Sequence, residues 1–387
     1  MESNRKKRGI DMIDYGILRI IWWALLGILL IGFAIMDGFD LGVSALLPFL
    51  ARNDSERRIM INSVGPVWEG NQVWIILGAG AIFAAWPAIY AVSFSGFYIA
   101  MFLVLLTFIL RPVCFKYRSK LSNPRWRSTW DYLLSIAGIL TCVIFGVAVG
   151  NVLQGVPFHF DAELRSFYTG TFWQLLNPFG LYCGFLSLMM LIMQGAIYLS
   201  NKSQDVIRKR ATTTTQITGL MTLTLFIVAG FWVKHLIGYR LISNTAFDGP
   251  SNPLYKSATQ EVGAWLSNYA THPYCLIAPI LGVAGIVLAL LFIRKLPKIA
   301  IIFSSIGILG IISTVGVSMF PFILPSSTEP AMSLIVWDAS SSQLTLFIML
   351  VVTLVFMPII LIYTAWVYRI MRGIVTEQSI ADNHQSY

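Results

Sequence analysis

Ionisable side chains cost a few kcal/mol each near the centre of a bilayer, so carboxylates inside long apolar runs need a reason. This chain places Asp37 and Asp40 in its first such run, three residues apart, which puts both on one face of a helix. Glu69 follows in the second run, within Trp68-Glu69-Gly70-Asn71-Gln72-Val73-Trp74. If the turn between the runs is centred near Ser55, Asp40 and Glu69 sit at nearly equal distances from it, roughly 20 Å at about 1.5 Å per residue. The acids of the two runs are then expected to face each other at one depth. Asp131 opens the fourth run beside a basic connection, which puts it near the cytoplasmic surface. A surface acid leading to buried acids is the layout of a proton route, because close carboxylates raise one another's affinity for protons. The same oxygens can instead bind a monovalent cation, or pair with a buried Arg and exchange nothing.

Histidine is instructive by position. His159, His235, His272 and His384 all fall in connections, at span ends or in the tail. A haem needs an axial His, Met, Cys or Tyr, and none of the histidines is at mid-membrane. Cys114, Cys142, Cys183 and Cys275 are scattered, with no Cys-x-x-Cys spacing. The reading is that this chain ligates no metal or haem of its own.

These acids must be held by membrane helices. Of 387 residues, 57% are hydrophobic and only 12% charged, about half the charge of ordinary soluble domains. Nine stretches meet or approach the roughly 20 apolar residues of a spanning helix. They are 17–37 (extending to 50), 59–84, 89–111, 130–152, 176–199, 213–236, 274–293, 299–320 and 343–368. None alternates as a β-barrel strand does. The second is weakest, broken by Pro66, Glu69, Asn71 and Gln72. An all-α polytopic protein of about nine spans is therefore expected.

Lys and Arg concentrate in the 1–2, 3–4, 5–6 and 7–8 connections and after the last span, which places the C-terminus in the cytoplasm and the N-terminus outside. The net charge of +9 is spread between spans and does not suggest nucleic acid. Arg5-Lys6-Lys7-Arg8 opposes this orientation, so residues 1–11 read as an extension before a start at Met12. Residues 12–372 then form one transmembrane domain and 373–387 a cytoplasmic tail. The outer connections 151–175 and 237–273 read as partly ordered caps. Gly146-x-x-x-Gly150 can allow close helix contact, though a small residue in an apolar helix is as good a reading.

Several segments resemble subunit II of the cytochrome bd-type quinol oxidases. They include Asp37-Gly38-Phe39-Asp40-Leu41-Gly42, the Trp68–Trp74 segment, Phe83-Ala84-Ala85-Trp86-Pro87, Arg111-Pro112 and Asn151-Val152-Leu153-Gln154-Gly155-Val156-Pro157. Later come Met319-Phe320-Pro321-Phe322-Ile323-Leu324-Pro325-Ser326-Ser327 and Trp337-Asp338-Ala339-Ser340-Ser341-Ser342-Gln343-Leu344. The resemblance runs from about Met12 to the end. It implies two four-helix bundles plus a peripheral helix, in the bacterial inner membrane, paired with a similarly folded subunit I. That partner would hold haems b and d, with small accessory subunits possible. The complex would oxidise quinol and reduce oxygen to water, taking protons from the cytoplasm. Asp37, Asp40, Glu69 and Asp131 match the acids of the family's proton route, and Trp68 a position that can line a quinone or lipid groove. Some relatives carry Asp where this chain has Glu69, a change of reach that a proton relay tolerates better than a fitted cation site.

Two rival readings remain at this stage. A proton-coupled secondary transporter would also bury acids beside Pro and Gly, although no internal repeat or second acid cluster supports it. A scaffold that only stabilises subunit I would leave the acids inert.

Overall fold

The computed structural model describes residues 13–381 apart from Asn244. The expected extension over residues 1–11, Met12 and His384 lie outside the described residues. Helix α1 (Tyr15–Leu50) is the organising element. Asp14 caps its start by accepting a hydrogen bond from the Ile17 amide, and from Asp37 to Leu47 every residue is buried. Such all-round burial means that other helices surround its second half.

Next come α2 (Asp54–Val64), α3 (Trp68–Ala85), α4 (Pro87–Gly96), α5 (Tyr98–Tyr117) and α6 (Pro124–Gln154). The expected second span, 59–84, is split between α2 and α3 at Gly65-Pro66-Val67, because proline lacks the amide a continuous helix requires. The expected third span is also shifted. Residues 87–96 form the separate helix α4, and the spanning helix α5 begins at Tyr98 and runs through Pro112. The remaining helices are α7 (Pro178–Lys202), α8 (Asp205–Val233), α9 (Ser267–Thr271), α10 (Ile277–Phe292), α11 (Pro297–Met319), α12 (Gln343–Ile370) and α13 (Glu377–Ala381). Among the described residues eight helical segments are long and apolar enough to cross a membrane, and α3, which opens with Glu69, Asn71 and Gln72, is not one of them.

Helices α1, α3, α5 and α6 pack as one group, and α7, α8, α10 and α11 as another, joined where α1 and α6 meet α7. Helix α12 lies outside both and buries only Leu346 and Leu350. Glycines set the closest approaches. A Cβ on Gly146 of α6 would sit 2.3 Å from the Cys183 carbonyl oxygen of α7, and one on Gly150 would sit 2.8 Å from Gly180 Cα. The Gly146-x-x-x-Gly150 spacing is thus a helix contact.

Three antiparallel hairpins cap one end. They are β1 (Phe158–Phe160) with β2 (Ser166–Tyr168), β3 (Ile237–Leu241) with β4 (Ala258–Val262), and β5 (Phe322–Leu324) with β6 (Leu334–Ile335). The connection 151–175 and the described residues of 237–273 form caps with short strands and helical turns, and a third cap lies over 320–342. A latch fastens these caps to α1. Arg19, fully buried, donates to the Phe247 and Gly249 carbonyls and to Ser251 and Ser340 at 2.7–2.9 Å. Beside it, the Lys256 amine meets Asp338 at 2.5 Å, both about 1% exposed. Burial pushes the Asp338 carboxyl up and the Lys256 amine down, while each opposes the shift of the other.

Candidate functional site

The sequence-predicted acids separate into two buried groups and one exposed residue. Asp37 is fully buried on α1 and paired with Arg111 of α5, whose two terminal nitrogens donate to its two oxygens at 2.7 and 3.0 Å. A two-pronged guanidinium–carboxylate pair is among the strongest polar contacts available to a buried acid. Asp40, one turn along, receives no such cation. Its Oδ2 accepts from Asn71 Nδ2 at 2.7 Å, and no protein donor among the described residues reaches its Oδ1. Asn71 Oδ1 in turn accepts from the hydroxyl of Tyr368, on α12, at 2.6 Å.

Glu69 does not meet Asp40. It is exposed, and Asn71 is the residue of α3 that reaches the buried acid. Counting equal arms from Ser55 fails because α2 and α3 are separate helices, so residues of α3 do not continue the depth or the face of α2. Trp68 is likewise not at an open groove. It is 4% exposed, stacks on Phe115 at 5.4 Å and lies 5.9 Å from the Arg111 guanidinium carbon.

Asp131, near the start of α6, is not a surface acid: it is 1% exposed and held by two arginines, one on α2 and one at the end of α5. Arg118 Nε donates to it at 2.5 Å and Arg57 Nη1 at 3.1 Å. Arg118 also binds Asp54 at 2.7 Å, and Arg127 holds the other Asp54 oxygen at 2.7 Å. Burial pushes the Asp54 carboxyl up, but Arg118, Arg127 and Arg58 outweigh it and hold the group below the usual carboxylate range. Glu56 is held low in the same way, against burial, by the Arg52 amide and Arg210.

Between the two buried groups lies a constricted pocket lined by α1, α2, α5 and α6, too narrow to seat a water molecule. Its walls follow the charged residues by a turn: Ser44 after Asp40, Met60 after Arg57, Leu134 after Asp131, and Phe115 between Arg111 and Arg118. Ser44 supplies its polar group, a buried hydroxyl that no described protein group partners. The arrangement is two polar stations on α1 and α6 with an apolar neck between them.

Sequence reasoning missed Arg111, Asn71, Tyr368 and Arg118. A buried Arg is among the partners the residue reading allows for the acids, but nothing there singles out Arg111, which stands at the end of the third run, 89–111. Asn71 stood in the motif as a neighbour of the acid and not as its reader.

Histidine placement matches the sequence reading for the described residues. His159 stacks on Phe167 in the first hairpin, His235 lies beside the Phe231 carbonyl at the end of α8, and His272 packs on Tyr274. Among the described residues no three His, Cys, Asp or Glu side chains gather as a metal site.

The sequence profile of the cytochrome bd terminal oxidase subunit II family matches residues 18–371. The chain belongs to that family. It is 51% identical to cytochrome bd-I ubiquinol oxidase subunit 2 of Escherichia coli K12 over 377 residues, 97% of this chain and 100% of that one. It is 48% identical to a probable cytochrome oxidase subunit 2 of Haemophilus influenzae, with 97% and 100% covered. Its fold matches the structure of bd oxidase from Geobacillus thermodenitrificans with a TM-score of 0.68 at 13% identity, covering 92% of this chain and 98% of that chain. This is an integral membrane subunit of a respiratory oxidase, an oxidoreductase complex, and membership in the family implies a subunit I as partner and haem in the assembly.

Proposed function

We propose that the chain is subunit II of a quinol:oxygen oxidoreductase, and that it conducts protons from the cytoplasm toward an oxygen-reducing centre carried by subunit I. Haems b and d belong to the partner in this reading, which the placement of the described histidines supports. The C-terminus is cytoplasmic and the N-terminus outside, on the strength of the Lys and Arg distribution.

The observation that carries the proton role is a count of charges. Two carboxyl groups, Asp37 and Asp40, share one guanidinium, and Arg111 gives both terminal nitrogens to Asp37. An unpaired buried carboxylate is costly by several kcal/mol, so Asp40 is the group suited to hold and release a proton. Asp131, with Arg118 and Arg57, forms the station nearer the cytoplasm, and Glu69 serves from the surface of α3. The test is oxygen consumption by the assembled complex carrying Asp40→Asn, with haem content measured in parallel. Turnover should fall at least tenfold with haem unchanged. Wild-type turnover at full haem loading would sink the proton role.

A further inference from the structure

Helix α12 is the least buried of the long helices, yet it sends one polar side chain inward. Tyr368 is half-buried two residues from its end, and its hydroxyl donates to Asn71 Oδ1 at 2.6 Å. The Asn71 amide is 1% exposed and passes the contact on, donating from Nδ2 to Asp40 Oδ2 at 2.7 Å. A side-chain amide fixed at its oxygen by a strong donor is a better donor at its nitrogen, because hydrogen bonds in a chain polarise one another. The two contacts orient Asn71, since a flipped amide would turn its oxygen toward an ionised Asp40, where two acceptors would meet.

Among the described residues no protein donor reaches Asp40 Oδ1, on a side chain that is 0% exposed. Ser44, one turn further along the same face, is also buried, with no described protein group partnering its hydroxyl. Charged and titratable groups reach Asp40 from every side. Asp37 shares its helix, and Arg111 of α5 is committed to Asp37. Tyr198 of α7 stacks on Phe39 and gives its hydroxyl to the Ser63 carbonyl, while Cys142 of α6 lies by Asp37. None of these donates to Asp40. Its hydrogen-bonded hold therefore comes from α3 and, through it, from α12.

We propose that Tyr368 and Asn71 are positioning residues for the proton-bearing carboxyl of Asp40, so that the docking of the peripheral helix α12 sets how readily the buried acid gives up its proton. This deepens the proton-uptake reading and rests on it. A donor to a carboxylate favours the ionised form. With Tyr368 in place, Asn71 grips Asp40 firmly and ionisation is easier. Without the tyrosine hydroxyl the grip slackens and the acid keeps its proton to higher pH.

The experiment uses the assembled oxidase complex and infrared difference spectroscopy of protonated carboxyl groups. Asp40→Asn identifies the Asp40 band by its loss. Tyr368→Phe removes one oxygen and keeps the ring, and Asn71→Ala removes the amide. The expected result is a displaced Asp40 band in both variants, with the pH dependence of turnover moved upward by roughly half a pH unit or more. A merely structural contact would lower thermal stability while leaving band and profile in place. An unmoved band and profile in Tyr368→Phe at normal haem content overturns the proposal, even if Asp40→Asn is slow. If Asp40→Asn itself shows no lost band and no loss of turnover, the proton-uptake reading fails and the proposal falls with it.

Discussion

Arg111 spends both terminal nitrogens on Asp37, and Asp40, one turn away on the same helix, is left to a neutral amide. The two acids of the Asp37-Gly38-Phe39-Asp40 segment are thus unlike. One is a fixed member of an ion pair that ties α1 to α5. The other is held on one oxygen by a neutral amide, and no described protein group reaches its second oxygen.

Removing the cation should therefore injure the fold before it touches chemistry. Arg111→Met leaves the Asp37 carboxylate buried without a partner, a loss of about 3–5 kcal/mol. Thermal unfolding of the purified complex should show a large drop or no assembly. The double variant Arg111→Met with Asp37→Leu removes both charges and should recover much of the stability. If the double variant is no better than the single, the pair does not behave as a buried ion pair.

Glu69 and Asp40 should respond differently to neutralisation. Glu69 is exposed, so Glu69→Gln should change unfolding stability by no more than about 0.5 kcal/mol. Asp40→Leu deletes the acceptor of Asn71 Nδ2 in a buried setting and should cost about 1–3 kcal/mol. Equal effects of the two substitutions on the melting curve would contradict the burial difference.

Acid should loosen the Asp131 station from its rim. Asp54 is held below its usual range by Arg118, Arg127 and Arg58, in spite of burial. A carboxyl depressed in the folded state contributes stability that is complete above its unfolded value, about 3.9, and is lost as pH falls through the lower folded value. Wild-type complex should lose thermal stability below about pH 4, and Asp54→Asn should be less stable at neutral pH with a shallower acid decline. Parallel pH–stability curves for the two proteins would show that Asp54 contributes nothing.

The α6–α7 contact gives a steric prediction. Because a Cβ at Gly146 would meet the Cys183 carbonyl oxygen at 2.3 Å, Gly146→Val must push backbones apart. Overpacking of this kind costs about 1–3 kcal/mol or more, and should be read as reduced yield and a lower melting temperature of the complex. Gly80, where an added Cβ meets nothing within 4 Å, is the control: Gly80→Ala should leave both unchanged.

Much of this was legible because membrane helices write themselves as apolar runs, and the helical period alone puts Asp37 and Asp40 on one face. The family resemblance was carried by segments whose spacing could be read directly. What could not be read was who reaches whom across helices. The third apolar run ends at Arg111, yet α5 continues to Tyr117 and carries Arg111 inside as the partner of Asp37. Gly65-Pro66 breaks the hairpin whose symmetry was meant to bring Glu69 to Asp40, and Asn71 takes that place. Tyr368 gave no signal, since one tyrosine near the end of an apolar helix ordinarily marks the interface.

Arg19 sits near the beginning of the chain, and one of its acceptors, Ser340, follows 321 residues later. The others, Phe247, Gly249 and Ser251, are also far downstream. During synthesis the first helix leaves the ribosome long before these acceptors: Phe247, Gly249 and Ser251 follow well past the middle of the chain, and Ser340 later still. Closing the cap around Arg19 is therefore a late step in biogenesis, and it registers that both ends of the subunit have arrived.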